Sequence, residues 1–374
     1  MQFFPDKWTD LQIFTLTMKK TTTILLLLLF CSLARAVQYG MILPLQYNYY
    51  QPLDAAGLGG GQVTSLTSGP AALFGNPCRL GSGGGRLSAS VSGGFISDGH
   101  SHVLITTRQS LALPAAAAAV WNFGKWGLGL GYANYMITEM SFRDQLQFTA
   151  QQQADLSLRQ ISAGGYLDIS PGVTAGVAVC RNSTEYIFQK MDTMLARGSA
   201  PGWNLNAGIE ISINSEMKLF TSLRTKNSME NKIDYLPQPG DGDLDLYGVV
   251  PAISTLGFSY RIDSTMTLAG QMDIASWQDV SRDYRGRADF KVGMELKPAS
   301  PGYILRFGFF TMGTPLLSQL TQNYPSLSDM YFLSIGQSFI MGPVTFSFSA
   351  ATSRLFSGDG IKQDMLAMSL QYAR

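Results

Sequence analysis

The chain has 374 residues, enough for one large domain or two ordinary ones, and a net charge of +1 that gives nucleic acid nothing to bind. Charged residues make up only 14% while Gly reaches 39 and aromatics 11%. This composition argues against a heavily solvated chain and suits β-structure with tight turns.

The N-terminus reads as an address. Met18-Lys19-Lys20 opens a basic stretch, Thr21 to Leu33 is an apolar run of thirteen residues, and Ala34-Arg35-Ala36 fits a small-x-small cleavage site. The run is too short to span a bilayer as a helix. Residues 1–36 are therefore assigned to an extension plus a signal peptide, with translation expected to start at Met18. Only Cys78 and Cys180 follow that segment, too few for a disulfide framework in an exported chain of this size.

Residues 37–85 lack strand periodicity. They contain the glycine run Gly57-Leu58-Gly59, a short helical turn at 71–74, and Asn76-Pro77, where proline ends the turn and restricts the residue before it. A side chain at Asn76 is placed to bond backbone groups at the forced bend.

From residue 86 to 374 the pattern changes to strict alternation. Ala288, Phe290, Val292, Met294 and Leu296 form one row, and Asp289, Lys291, Gly293, Glu295 and Lys297 form the other. Side chains alternate across a strand, so each such stretch has one apolar and one polar face. The same reading holds for Trp203 to Ile211 against Asn204 to Ser212, and for Leu256 to Ile262 against Thr255 to Arg261. Candidate strands fall near 86–95, 101–109, 115–123, 125–137, 155–169, 172–188, 201–213, 216–226, 252–263, 265–277, 285–298, 301–312, 328–340, 342–354 and 362–373. The stretch 101–109 is the weakest, and even strand numbers in bacterial barrels reduce the count to about fourteen. Short turns alternate with longer connections at 138–154, 185–200, 227–251, 278–284, 313–327 and 355–361.

A soluble sandwich would alternate too. Export, many sequential strands, and polar rows rich in Gly, Ser and Thr with paired charges favour an all-β transmembrane antiparallel barrel whose partner is the lipid bilayer. The apolar rows then face acyl chains. Glu210, Arg261, Asp273, Arg287, Asp289, Lys291, Glu295 and Arg306 face the lumen, where they are expected to form a mixed network that holds the N-terminal segment.

Residues 57–81 resemble the N-terminal hatch of the outer-membrane long-chain fatty acid and toluene transporter (FadL-like) family. The match runs through Gly57-Leu58-Gly59, Pro70-Ala71-Ala72 and Asn76-Pro77-Cys78-Arg79-Leu80, with Cys78 in place of the usual Ala. Pro251 to Tyr260 and Met266 to Asp273 are also similar. The resemblance implies a hatch over 37–85 inside a barrel over 86–374, with Gly57, Gly59, Asn76, Pro77 and Leu80 as the hatch motif. It implies passage of hydrophobic small molecules across a bacterial outer membrane. The barrels that shuttle secreted proteins in type IX secretion share the Asn-Pro-Ala hallmark, which keeps a non-enzymatic protein-handling role as the alternative. No cofactor and no metal are expected. His100 and His102 are the only histidines, with no further His or Cys cluster to support a metal site, and no nucleophile–base arrangement suggests an enzyme.

Overall fold

The computed structural model describes residues 54–67, 69–99, 105–109, 115–143, 151–190, 193–227, 232–235, 251–279, 285–298, 302–313, 329–356 and 362–374. The signal-peptide assignment, residues 37–53, His100 and His102 lie outside them.

Among the described residues sixteen strands form: β1 Leu87–Gly99, β2 Ile105–Gln109, β3 Ala116–Asn122, β4 Trp126–Arg143, β5 Gln151–Ser170, β6 Val173–Lys190, β7 Thr193–Ser212, β8 Met217–Arg224, β9 Lys232–Tyr235, β10 Ile253–Arg261, β11 Met266–Ala275, β12 Arg287–Leu296, β13 Tyr303–Met312, β14 Met330–Met341, β15 Val344–Thr352 and β16 Lys362–Ala373. Fourteen of them, all except β2 and β9, pair antiparallel with their neighbours around a closed ring. β1 closes it by pairing β16 from Ser88↔Ala373 to Gly99↔Lys362. A closed ring leaves no backbone edge unpaired, which is what a strand needs in lipid.

The weak stretch 101–109 contains a short strand after all, but not one of the ring. Ile105–Gln109 pairs only with the far end of β4, and β9 likewise extends the sheet beside β7. Two expected long connections also prove to be largely strand. β4 runs to Arg143 and β5 starts at Gln151, while β6 reaches Lys190 and β7 starts at Thr193. Backbone pairing carries both ladders on into segments read as connections.

The tight turns share one rim. Gly172 and Gly342 take φ +86° and +61° there, conformations that side chains with a Cβ seldom adopt. Asn214 and Asp263 close the β7–β8 and β10–β11 turns by accepting backbone N–H bonds from Met217 and Met266. The opposite rim carries the longer connections.

The two faces of the wall meet different media. Leu128, Ile161, Trp203, Leu256, Phe290, Val292, Ile209 and Phe307 are exposed on the outside. Asp289, Lys291, Glu210, Glu295 and Arg306 are buried inside. An apolar surface open all round the ring, over a polar interior, inverts the arrangement of a water-soluble domain and belongs to a barrel that spans a membrane.

Candidate functional site: the hatch and the inner wall

Residues 54–85 fill the ring. They comprise α1, Ala55–Gly59, and 3₁₀ turns at Thr64–Leu66, Gly69–Phe74 and Pro77–Gly83. Asp54 caps α1, its carboxylate accepting from Gly57 N–H at 2.9 Å. Leu58, Leu73, Phe74 and Leu80 are fully buried against the wall, each contributing about 1.5–3 kcal/mol of apolar burial.

The hatch touches the wall backbone to backbone. A Cβ on Gly59 would lie 2.7 Å from Gly336 Cα, so both positions must be glycine for β14 and α1 to approach this closely. The contact continues along the loop after α1. A Cβ on Gly308 would collide with Gly61, and one on Gly293 with the Gly60 carbonyl oxygen. These wall glycines read in the sequence only as members of a small-residue row; they are the seats of the hatch.

Asn76 and Pro77 stand at the second such approach. Asn76 is extended, φ −134° and ψ 95°, as the following proline requires. The expected bond from its side chain to the backbone does not form. Instead its Oδ1 accepts from Cys78 Sγ at 2.9 Å, while Gly208 on β7 makes room for the amide. Burial, reinforced by the charge of Glu210, pushes the Cys78 thiol up to about 12, so it remains a protonated donor. Gly57 packs against Thr67, and Leu80 lies against β4 near Gly129.

Polar anchors tie the hatch to the wall. Arg79 Nη1 meets Glu210 Oε2 at 2.5 Å, and Lys218 pairs with the other oxygen of Glu210 at 2.8 Å. Thr64 donates both its N–H and its hydroxyl to Gln271 Oε1 at 2.8 Å. Asn206 Nδ2 donates to the Gly75 carbonyl at 3.0 Å, Arg224 to the Phe74 carbonyl at 2.5 Å, and Ser334 to the Gly59 carbonyl at 3.2 Å. Gln271, Asn206, Arg224 and Ser334 were not singled out from the sequence. Each lies on a polar inward row, but an amide or hydroxyl there looks like any lumen-lining group until the hatch is beside it.

The inward charges pair mostly with one another. Lys291 lies 2.7 Å from Asp273, which also accepts from Thr255 and Gln271 at 2.7 Å. Arg287 holds Asp289 through two nitrogens at 2.5 and 2.6 Å, and Asp289 accepts from Gly313 N–H at 2.7 Å. Arg306 engages Glu295 at 2.9 Å and Ser338 at 2.6 Å. Of the expected lumen charges, Glu210 bonds the hatch directly and Asp273 reaches it through Gln271. Arg306 spends its fork on the wall. Arg261 is not in the lumen. It ends β10 at the tight-turn rim, exposed, with its guanidinium on the Ser215 carbonyl of the neighbouring turn. Alternation put it on the inward row, but the wall stops at that residue.

A stretch of the inner wall that meets α1 is apolar. Phe310, Met312, Met330, Phe332, Ala351, Met365 and Ala367 pack with Ala55 and Leu58 of the hatch. The rings of Phe310 and Phe332 stack at 4.7 Å, 4° from parallel. Met312 and Met330 end β13 and begin β14, so this lining lies toward the rim of longer connections. At the other rim a cavity of about 780 Å³ opens where the hatch runs into β1, bounded by Gly81, Arg86, Trp121, Asn122, Phe123 and Tyr166.

The wall is also uneven. β1 pairs β3 only from Leu87↔Trp121 to Ser92↔Ala116, although β1 continues to Gly99. Among the described residues no ladder pair joins Gly93–Gly99 to β2. No group of three or more His, Cys, Asp or Glu able to hold a metal occurs among the described residues.

Three solved barrels share this architecture. The toluene transporter TbuX of Ralstonia pickettii superposes with TM-score 0.65 at 13% identity, covering 87% of this chain and 99% of its own. A FadL homologue of Pseudomonas aeruginosa gives 0.62 at 13% identity over 86% and 99%. The toluene transporter TodX of Pseudomonas putida gives 0.62 at 13% identity over 87% and 98%. No protein-family model and no curated sequence matches. The chain thus has the FadL-type fold, a fourteen-stranded barrel around an N-terminal hatch.

Proposed function

We propose that this chain is a passive outer-membrane route for hydrophobic small molecules, fatty acids or hydrocarbons. The observation that carries this reading is the apolar cluster of Phe310, Phe332, Met312, Met330 and Met365 on the inner wall, packed on Ala55 and Leu58 of the hatch toward the rim of longer connections. A flexible Met-and-Phe surface suits apolar solutes of varied shape. The shared fold with barrels described as toluene transporters supports it. Binding at the lining would be sensed through Leu58 and Ala55, and the bend at Asn76-Pro77 is the part of the hatch proposed to yield. A protein-handling role draws no support from a ring filled to this extent by its own hatch.

The test is uptake of toluene and of oleate by a host lacking its own transporter. Phe310→Gln with Phe332→Gln should cut uptake by more than about tenfold, since each ring loses roughly 1.5–3 kcal/mol of apolar contact. Asn76→Ala should insert normally and lose uptake as well. Full uptake by the Phe variant would remove the lining from the route, and full uptake by Asn76→Ala would leave that residue a structural role only.

A further inference from the structure

We infer that the outer face of β5, β6 and β7, at the long-connection edge of the apolar belt, is a binding site for the phosphate of an anionic lipid headgroup. Three residues on adjacent strands compose it. Arg181 on β6 is paired in register with Ile161 of β5 on one side and with Trp203 of β7 on the other. Arg159, paired with Ser183, is therefore the diagonal neighbour of Arg181, with Cα atoms about 7–8 Å apart. The Arg181 guanidinium lies 5.8 Å from the centroid of the Trp203 ring.

The height of this group matters. The outward row of β7 and its turn runs from Ile213 through Ile211, Ile209 and Leu205 to Trp203, all exposed. Ten residues at ordinary strand rise and tilt span roughly 25 Å, the height of the hydrocarbon band of such barrels. Ile161 and Val179, one outward step nearer the tight turns than the arginines, are also exposed and apolar. The arginines thus begin where the belt ends, at headgroup level, and Trp203 marks the same level as interfacial tryptophans do.

The charge there is not balanced by the protein. Glu185 lies 3.9 Å from Arg159, the long limit of an ion pair, and the Arg159 side chain stays 52% exposed. Glu185 is the described carboxylate within ion-pair distance of Arg159. Two neighbouring cations bordering lipid repel each other, and a phosphate accepting from both forks removes that cost. The ring of Trp203 holds Arg181 across the face of the site. A headgroup is favoured over a free anion because the site borders an acyl-facing surface, where a lipid adds the contact of its chains.

The inference rests on the membrane-barrel reading, and the experiment separates the two. The full-length folded barrel in detergent is titrated with diphosphoryl lipid A or with phosphatidylcholine and analysed by native mass spectrometry. Heat-modifiable gel mobility and insertion into vesicles report independently that the barrel is intact. Wild type should retain one lipid A and release phosphatidylcholine at the same energy. Arg159→Gln/Arg181→Gln should weaken lipid A retention by about tenfold or more, with the barrel still folded and uptake of apolar solutes unchanged. Arg181→Lys, which keeps charge but loses the fork, should fall between. Equal retention by the double variant, equal retention of phosphatidylcholine, or displacement of lipid A by an equal concentration of inorganic phosphate would each overturn the assignment.

Discussion

Gly308→Val should unseat the hatch while leaving the barrel closed. A side chain at that position would occupy the space of Gly61, whose backbone cannot move without dragging α1 and the Thr64 anchor with it. Overpacking against a side chain costs about 1–3 kcal/mol, and here the obstacle is main chain. A cost at the top of that range shifts the ratio of seated to displaced hatch by roughly two orders of magnitude. Single-channel recordings in planar bilayers should show frequent large openings that wild type lacks. Gel mobility before and after heating should show the same folded barrel in both. A Gly308→Val barrel that is folded and as silent as wild type would mean the close approach does not hold the hatch in place.

Asp273→Ala should cost more stability than any other change in the lumen. It strands the buried ammonium of Lys291 and frees Thr255 and Gln271, whose amide also carries both bonds to Thr64. Removing one partner of a buried pair costs about 3–5 kcal/mol, whereas replacing both by apolar groups is often neutral. Unfolding by urea in vesicles, followed by gel shift, should show the full loss in Asp273→Ala. Much of it should return in Asp273→Ala/Lys291→Met. A single variant as stable as wild type would show that Lys291 finds water or another acceptor, and that the pair is not needed.

The wall was legible in the sequence and most of the hatch contacts were not. Alternation is a local property of the chain, so Phe290, Val292 and Ile209 could be set outside, and Asp289, Lys291 and Glu295 inside, from their neighbours alone. The strand count needed the even-number rule of bacterial barrels as well, since alternation offered fifteen candidates. The ends of strands were misplaced at β4 and β7, where the ladder runs on into segments read as connections. Arg261 shows the converse error, a residue of the right parity placed where the wall has ended. The apolar lining was hidden by a different effect. Arg306, Gly308, Phe310 and Met312 share one inward row, polar low on β13 and apolar at its end, and adjacent Phe309 and Phe310 blur the period. Nothing local distinguishes a glycine that seats a hatch, such as Gly293, from one that merely lines a lumen, because its partner lies more than 200 residues away in the chain.

The hatch leads without a break into β1, and β1 is joined to β16, just past which Arg374 exchanges both backbone bonds with Leu87. The first and last strands of the wall therefore meet across the whole length of the barrel segment. Loop-closure entropy makes so distant a pairing late in assembly. Until it forms, the growing sheet has two bare edges open to other chains. The hatch is tethered to one of those edges, so it has to be gathered into the curling sheet before the seam shuts, since no later step could thread it through a finished wall. Chains whose hatch fails to settle would then be delayed at the seam itself, and a defect at Gly293 or Gly336 would surface as slow biogenesis before any transport could be measured.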